Sequence, residues 1–182
     1  HNDTAIMRTK LIATLMKGHT VKQIIDVVDT IPIVEDALEV VTGLKKNGYI
    51  CGIISDSYDV VTNHIKNKLG MDFSMANELE FSKSIATGEV KLPSYFLRTK
   101  KSLCSHEYCK SNVIRQLSSG YDIDISNITA IGDSENDICM IRECGTGISF
   151  LSQNKYLNLV ANHLITVPSF SPLLDILNVK KQ

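Results

Sequence analysis

Two stretches of this chain repeat one pattern: an apolar run stops abruptly at small polar residues and passes into a helix. The first is Tyr49-Ile50-Cys51-Gly52-Ile53-Ile54, ending in Ser55-Asp56-Ser57. The second is Asn127-Ile128-Thr129-Ala130-Ile131, ending in Gly132-Asp133. Residues apolar at consecutive positions are buried on both faces, which suits parallel strands covered by helices on each side. Helical spacing follows both runs, first with Val61, Ile65 and Leu69 stopped by Gly70, then over about 135–143, ended near Gly145. The pattern predicts an α/β fold with a doubly wound, parallel-sheet, Rossmann-like core. In such a sheet ligands bind beyond the carboxyl ends of the strands, so the polar turns are the first places to look for chemistry.

The remaining segments fit around that core. Residues 3–17 read as a helix with Ile6, Leu11, Leu15 and Met16 near one face, stopped by Gly18. A short helix at about 20–28 and a stronger one at about 34–47, with Val34, Ala37, Leu38, Val41 and Leu44 apolar, precede the first strand. Residues 73–91 read as an antiparallel hairpin, 92–104 as loop, and 107–118 as a helix with Val113, Ile114 and Leu117 inward. Short strands are expected at 147–150 and 163–167, and helices at about 153–160 and 172–178.

Composition narrows the function classes. With 182 residues the chain can bury a core without disulfides. A net charge of -1 argues against nucleic acid as a partner, because backbone phosphates call for a concentrated basic surface. No run approaches the roughly 18 apolar residues of a membrane-spanning helix, so no membrane partner is expected. The five cysteines (Cys51, Cys104, Cys109, Cys139 and Cys144) are odd in number and scattered, unlike a secreted disulfide framework. Free thiols in a reducing cytoplasm are the favoured reading. Cys104, His106 and Cys109 form a conceivable zinc corner, set aside because it offers three ligands and the chain has no matching second cluster.

Three places carry chemistry. Ser55-Asp56-Ser57 sets a hydroxyl beside backbone N–H groups at a strand-to-helix turn, which can make a phosphate site, but on this segment alone Ser57 as a helix cap is the favoured reading. Gly132-Asp133-Ser134-Glu135-Asn136-Asp137 crowds three acids and an amide into a second such turn. A cap needs one acid, and a hard cation such as Mg²⁺ binds through one or two carboxylates plus waters, so cation binding is favoured there. Lys110 lies near a helix start, where its charge opposes the helix dipole and invites an anionic partner, although taken alone it reads as a surface lysine.

Serine after one strand, lysine at a helix start and Gly-Asp-x-x-Asn-Asp after another strand resemble the second, third and fourth motifs of the haloacid dehalogenase-like superfamily. The segments IISDSYDVVTNHIKNKLGMDFSMANELEF and ITAIGDSENDICMIRECGTGISF resemble its phosphoserine phosphatase branch, and GDSENDICM is the most specific of them. The resemblance extends over about 30–167. It implies a core over 31–182, with residues 1–30 as the C-terminal part of a small helical cap. It also implies a Mg²⁺-dependent phosphomonoester hydrolase that works through an aspartyl-phosphate on a small phosphorylated substrate. In that scheme Ser55 and the backbone N–H of Asp56 bind phosphoryl oxygens, and Lys110 neutralises charge on nucleophile and phosphate. Asp133 binds the metal, Asp137 supports the metal site, and Asn136 positions phosphate or substrate.

Two departures stand out. The branch's first motif, Asp-x-Asp-x-Thr or Ser after an apolar strand, is missing; Asp3-Thr4 is its faint echo, with no strand before it. The expectation is that an upstream segment or a second chain supplies that strand and completes the sheet, and that the 182 residues alone are inactive. The cap arginine that the branch uses for the substrate carboxylate aligns near apolar Ile12, with Arg8 one turn earlier. A catalytically silent binding or regulatory module and a phosphotransferase remain competing readings.

Overall fold

The computed structural model describes residues 2–179, which open with three helices before the first strand. In order the elements are α1 (Asn2–Leu15), α2 (Val21–Val28), α3 (Ala37–Lys46), β1 (Gly52–Tyr58), α4 (Asp59–Leu69), β2 (Phe73–Ser82) and β3 (Ile85–Lys91). There follow α5 (Lys110–Tyr121), β4 (Thr129–Gly132), α6 (Ile138–Glu143), β5 (Thr146–Phe150), α7 (Lys155–Val160), β6 (His163–Ile165) and α8 (Pro172–Ile176). The chain divides into two units, one built from Asp3–Pro93 with the segment from Ser169 onward, the other from Ser94–Pro168. No helix among the described residues is long and apolar enough to cross a membrane.

In the first unit the sheet order is β1-β2-β3. β2 is a long strand with two kinds of neighbour. Its first half runs parallel to β1, with Gly52 opposite Phe73 and Ile54 opposite Met75, and its second half turns back antiparallel onto β3. The hairpin read at 73–91 is therefore present, and its first strand also extends the parallel pairing. Gly52 is needed where it stands, because a Cβ there would lie 2.3 Å from the Phe73 ring. Gly70, in the left-handed conformation at φ +65°, ends α4 as the sequence suggests.

The core of this unit gathers Ala13, Ile24, Tyr58, Leu79 and Ala86, with Met16, Val60, Val61, Phe81 and Val90 packed around it. The expected inner face of α1 is corrected here. Leu11 and Leu15 are 63% and 72% exposed, whereas Thr9 and Ala13 are buried. The Tyr58 hydroxyl donates to the Thr9 carbonyl at 2.6 Å, so the helix backbone comes close and small residues occupy the near side. In α3 the buried stripe is Ala37, Val40, Val41 and Leu44, while Leu38 is exposed. The carboxylate of Asp36, just before α3, accepts from the backbone N–H groups of Phe170 and Ser171 at 2.9 and 2.8 Å, holding the C-terminal segment against the unit.

The second unit has the order β4-β5-β6, all parallel, with Ala130 opposite Gly147 and Ile148 opposite His163. Its buried residues come from α5 (Val113, Ile114), α6 (Met140, Ile141), β5 (Ile148) and α7 (Leu157). Apolar runs thus give parallel strands, as predicted for an α/β fold, but β1 and β4 are largely half-buried and only β5 is buried along its middle. The strands make two three-stranded sheets, with β1 at the edge of one and β4 at the edge of the other.

Candidate functional site

In the second unit β4 delivers the chain to a tight turn that depends on Gly132. A Cβ at that position would lie 2.4–2.7 Å from the Asp137 side chain, so only glycine lets Asp137 fold back over the strand end. There Asp137 Oδ2 accepts from the backbone N–H groups of Asp133 and Ser134 and from the Ser134 hydroxyl, each at 3.1 Å. Its Oδ1 accepts from Lys110 Nζ at 2.7 Å. Asp137 is 3% exposed and Lys110 9%.

Lys110 opens α5, whose first turn is buried from Lys110 through Ile114. A lysine there opposes the helix dipole, and burial adds a desolvation cost. The anionic partner expected for it is present as the Asp137 carboxylate. Asn112 fixes the same turn from the side, donating to the Phe96 carbonyl at 3.0 Å and accepting from Ser102 at 2.6 Å. Asp133 is exposed at the strand end, and its carbonyl accepts from the Ser152 hydroxyl at 2.6 Å. Glu135 and Asn136 are also exposed, on the 3-10 turn Glu135–Asp137.

Lys110, Asp133 and Asp137 are therefore brought together, through Asp137, with Asn136 on the same turn. Their donors and acceptors match a hard-cation site in chemistry: an exposed carboxylate for contact, and a second carboxylate that holds the turn and the lysine.

Ser55 and Asp56 lie in the first unit. The sequence places them in a turn after the strand, whereas the structure has them within β1, where the pairing slips. Three residues lie between Ile54 and Tyr58 where one, Ala76, lies between their partners Met75 and Asn77, so Ser55-Asp56-Ser57 form a bulge. Bulges re-aim side chains and are frequent beside functional sites. Ser55 Oγ accepts from the Ser57 backbone N–H at 3.1 Å. The cap role favoured for Ser57 is not realised, since the residue capping α4 is Tyr58, with no side-chain cap bond.

The bulge is held by a residue that sequence reasoning missed. Asn77, fully buried in β2, donates its amide to the Asp56 carbonyl at 2.8 Å, and Thr9 reaches the same oxygen at 3.5 Å. The only local signal was an asparagine in an otherwise packed strand. Arg8 and Ile12, the positions considered for a substrate carboxylate, are both exposed on α1.

The family model for haloacid dehalogenase-like hydrolases matches residues 3–142. The chain belongs to that family. This haloacid dehalogenase-like chain is 28% identical over 165 residues to the phosphoserine phosphatase of Archaeoglobus fulgidus, covering 91% of this chain and 45% of that protein. It is 27% identical over 140 residues to the phosphoserine phosphatase of Methanocaldococcus jannaschii, covering 77% of this chain and 62% of that one. The chain thus spans about half the length of these curated relatives. A solved structure of phosphoserine phosphatase in apo form superposes with a TM-score of 0.76 at 25% identity, over 98% of this chain and 84% of that one. A phospho-aspartyl intermediate analogue of phosphoserine phosphatase gives 0.72 at 25% identity, over 94% of this chain and 76% of that one.

Proposed function

We propose that this haloacid dehalogenase-like chain carries the lysine, metal and phosphate parts of a Mg²⁺-dependent phosphomonoester hydrolase. Its substrate would be a small phosphorylated metabolite such as phosphoserine. The observation that carries the reading is the buried Lys110–Asp137 pair on the Gly132–Asp137 turn, beside the exposed Asp133. Phosphoryl transfer is mostly positioning and charge stabilisation, and a lysine fixed by a buried carboxylate supplies both.

In this reading Asp133 contacts the cation. Asp137, whose two oxygens are engaged by Lys110 and the turn, supports the site from behind. The bound cation would offset negative charge on the phosphoryl group. Lys110 neutralises nucleophile and phosphate, Ser55 and the Asp56 N–H bind phosphoryl oxygens, and Asn136 positions the substrate. The nucleophilic aspartate would come from a segment outside these 182 residues, pairing as a strand. That β1 and β4 are edge strands of their sheets supports this part of the proposal.

The test is phosphate release from O-phosphoserine and a panel of other phosphomonoesters by the full-length protein, with and without Mg²⁺. Turnover should require Mg²⁺ and fall by about 10²–10³ on removal of a charge-stabilising group, as in Asp133→Asn or Lys110→Met. Phosphoethanolamine, which lacks the carboxylate, reports whether that group is read. Absence of Mg²⁺-dependent turnover on every ester would leave the binding or regulatory module as the reading.

A further inference from the structure

The segment leading into α5 carries Cys104-Ser105-His106-Glu107-Tyr108-Cys109, a Cys-x-His-x-x-Cys spacing. Those three ligand types alone make an incomplete metal corner. The structure adds a fourth from 30 residues further on (139 − 109), since Cys139, the second residue of α6, turns its sulfur into the same space. One ligand atom from each of Cys104, His106, Cys109 and Cys139 lies within 4.8 Å of all the others. The four belong to the same unit, Ser94–Pro168. We propose that these four residues bind one zinc ion in a closed, structural site.

Geometry and chemistry agree. Zn–S bonds of about 2.3 Å and Zn–N bonds of about 2.0–2.1 Å in a tetrahedron put neighbouring ligand atoms roughly 3.4–3.8 Å apart. Cys139 Sγ and His106 Nδ1 are 3.4 Å apart. Three thiols and an imidazole select zinc over a hard cation, which prefers oxygen. The cysteines are 6–7% exposed and His106 is half-buried, so the ligands are withdrawn from bulk water. All three are free thiols.

The surroundings already favour a thiolate. Cys109 occupies the position just before α5, without a side-chain cap bond, where helix N–H groups stabilise negative charge. The Ser111 hydroxyl donates to Cys109 Sγ at 3.3 Å and lies 3.7 Å from Cys104 Sγ. Such hydrogen bonds around ligand sulfurs are the usual outer support of a metal site. Each cysteine that binds as thiolate gives its proton to solvent, so uptake releases protons and weakens as pH falls.

With four protein ligands the site has no open position for substrate, which makes it structural and not catalytic. Its effect is to tie the loop before α5 to the start of α6. Cys109 immediately precedes Lys110, and Cys139 follows Asp137 by two residues, so the ion would brace both partners of the buried pair. The proposal does not depend on the hydrolase reading, and its readouts contain no activity assay.

The protein is purified under reducing conditions, without chelator, from cells grown with added zinc, and its metals are counted by mass spectrometry. The expected result is about one zinc per chain that survives gel filtration. The stripped protein refilled with Co²⁺ should show the intense visible bands of a tetrahedral site and a thiolate-to-cobalt charge-transfer band. Cys139→Ser should weaken zinc binding, in competition with a chromophoric chelator, by more than the roughly 10- to 100-fold that loss of an outer-sphere partner costs. Cys51→Ser should leave metal content and spectrum unchanged. Three results would each overturn the proposal: iron in place of zinc, a pale octahedral cobalt spectrum from the unmutated protein, or a disulfide between two of the three cysteines in protein kept reduced. The cobalt spectrum of the unmutated chain decides the matter even where a variant fails to fold.

Discussion

Lys110 Nζ donates to Asp137 Oδ1 at 2.7 Å, and the two side chains are only 10% and 4% exposed. Removing one partner of such a pair strands a buried charge and costs about 3–5 kcal/mol. The two partners are not equivalent, however. Asp137 also accepts from two backbone N–H groups and a hydroxyl, so its loss leaves those donors without their acceptor as well. Urea denaturation should show both Lys110→Met and Asp137→Ala destabilised, with Asp137→Ala the worse. The reverse order would mean that the turn is held by something other than the carboxylate.

Two glycines of the same unit should respond in opposite directions to alanine. At Gly145 a Cβ would lie 1.9 Å from the Ser126 carbonyl oxygen, and backbone cannot swing aside as a side chain can. Gly145→Ala should cost at least the upper end of the about 1–3 kcal/mol typical of overpacking. Gly120, in the last turn of α5, has nothing within 4 Å of the added atom. Gly120→Ala should stabilise by up to about 1 kcal/mol through helix propensity and a less disordered unfolded chain. Thermal melts of the two variants beside the unmutated protein check both signs.

What was legible in the sequence was local. The apolar run into Gly132-Asp133 and the lysine at the start of α5 depend on residues within a few positions of one another, so pattern alone locates them. The misreadings all involve distant partners. Leu11 and Leu15 have the spacing of a buried stripe, yet Tyr58 approaches α1 from the Thr9 and Ala13 side. Ser55-Asp56-Ser57 look like a turn because the bulge that contains them exists only against β2. Cys139 carries no mark that pairs it with Cys104, His106 and Cys109; that relationship appears once α6 is packed. The pairing of Lys110 with Asp137 was half legible, since helix electrostatics called for an anion without saying which.

Asn77 provides a test of how the Ser55–Ser57 bulge is held. Its side chain is fully buried, and its amide donates to the Asp56 carbonyl at 2.8 Å. Asn77→Leu is close in size but removes that donor and places an apolar group against a carbonyl. A cost of about 1–3 kcal/mol is expected, the range for a buried polar group deprived of a partner. Amide exchange should accelerate at Ser57 and Tyr58 more than in β3. Uniform acceleration throughout the unit would point to general destabilisation and remove Asn77 from the role of local brace.

Asp36 links stability to pH. Burial alone would raise its pKa, but hydrogen bonds from the Phe170 backbone, the Ser169 hydroxyl and the Ser171 backbone outweigh that and hold its carboxyl below the ordinary value of about 3.9. A folded-state pKa below the unfolded one contributes stability that is fully present above the unfolded pKa. That contribution is lost as pH falls through the folded pKa, so the window lies below about pH 4. Asp36→Asn keeps the shape but has one carbonyl oxygen where the carboxylate accepts on two, with Phe170 on Oδ1 and Ser171 on Oδ2. The variant should therefore be less stable than the unmutated protein at neutral pH, with a gap that narrows on acidification through that window. Its C-terminal segment from Ser169 should also be cut sooner in limited proteolysis at neutral pH. A gap that stays constant from neutral pH to below pH 3 would show that the ionised carboxylate contributes nothing beyond its shape.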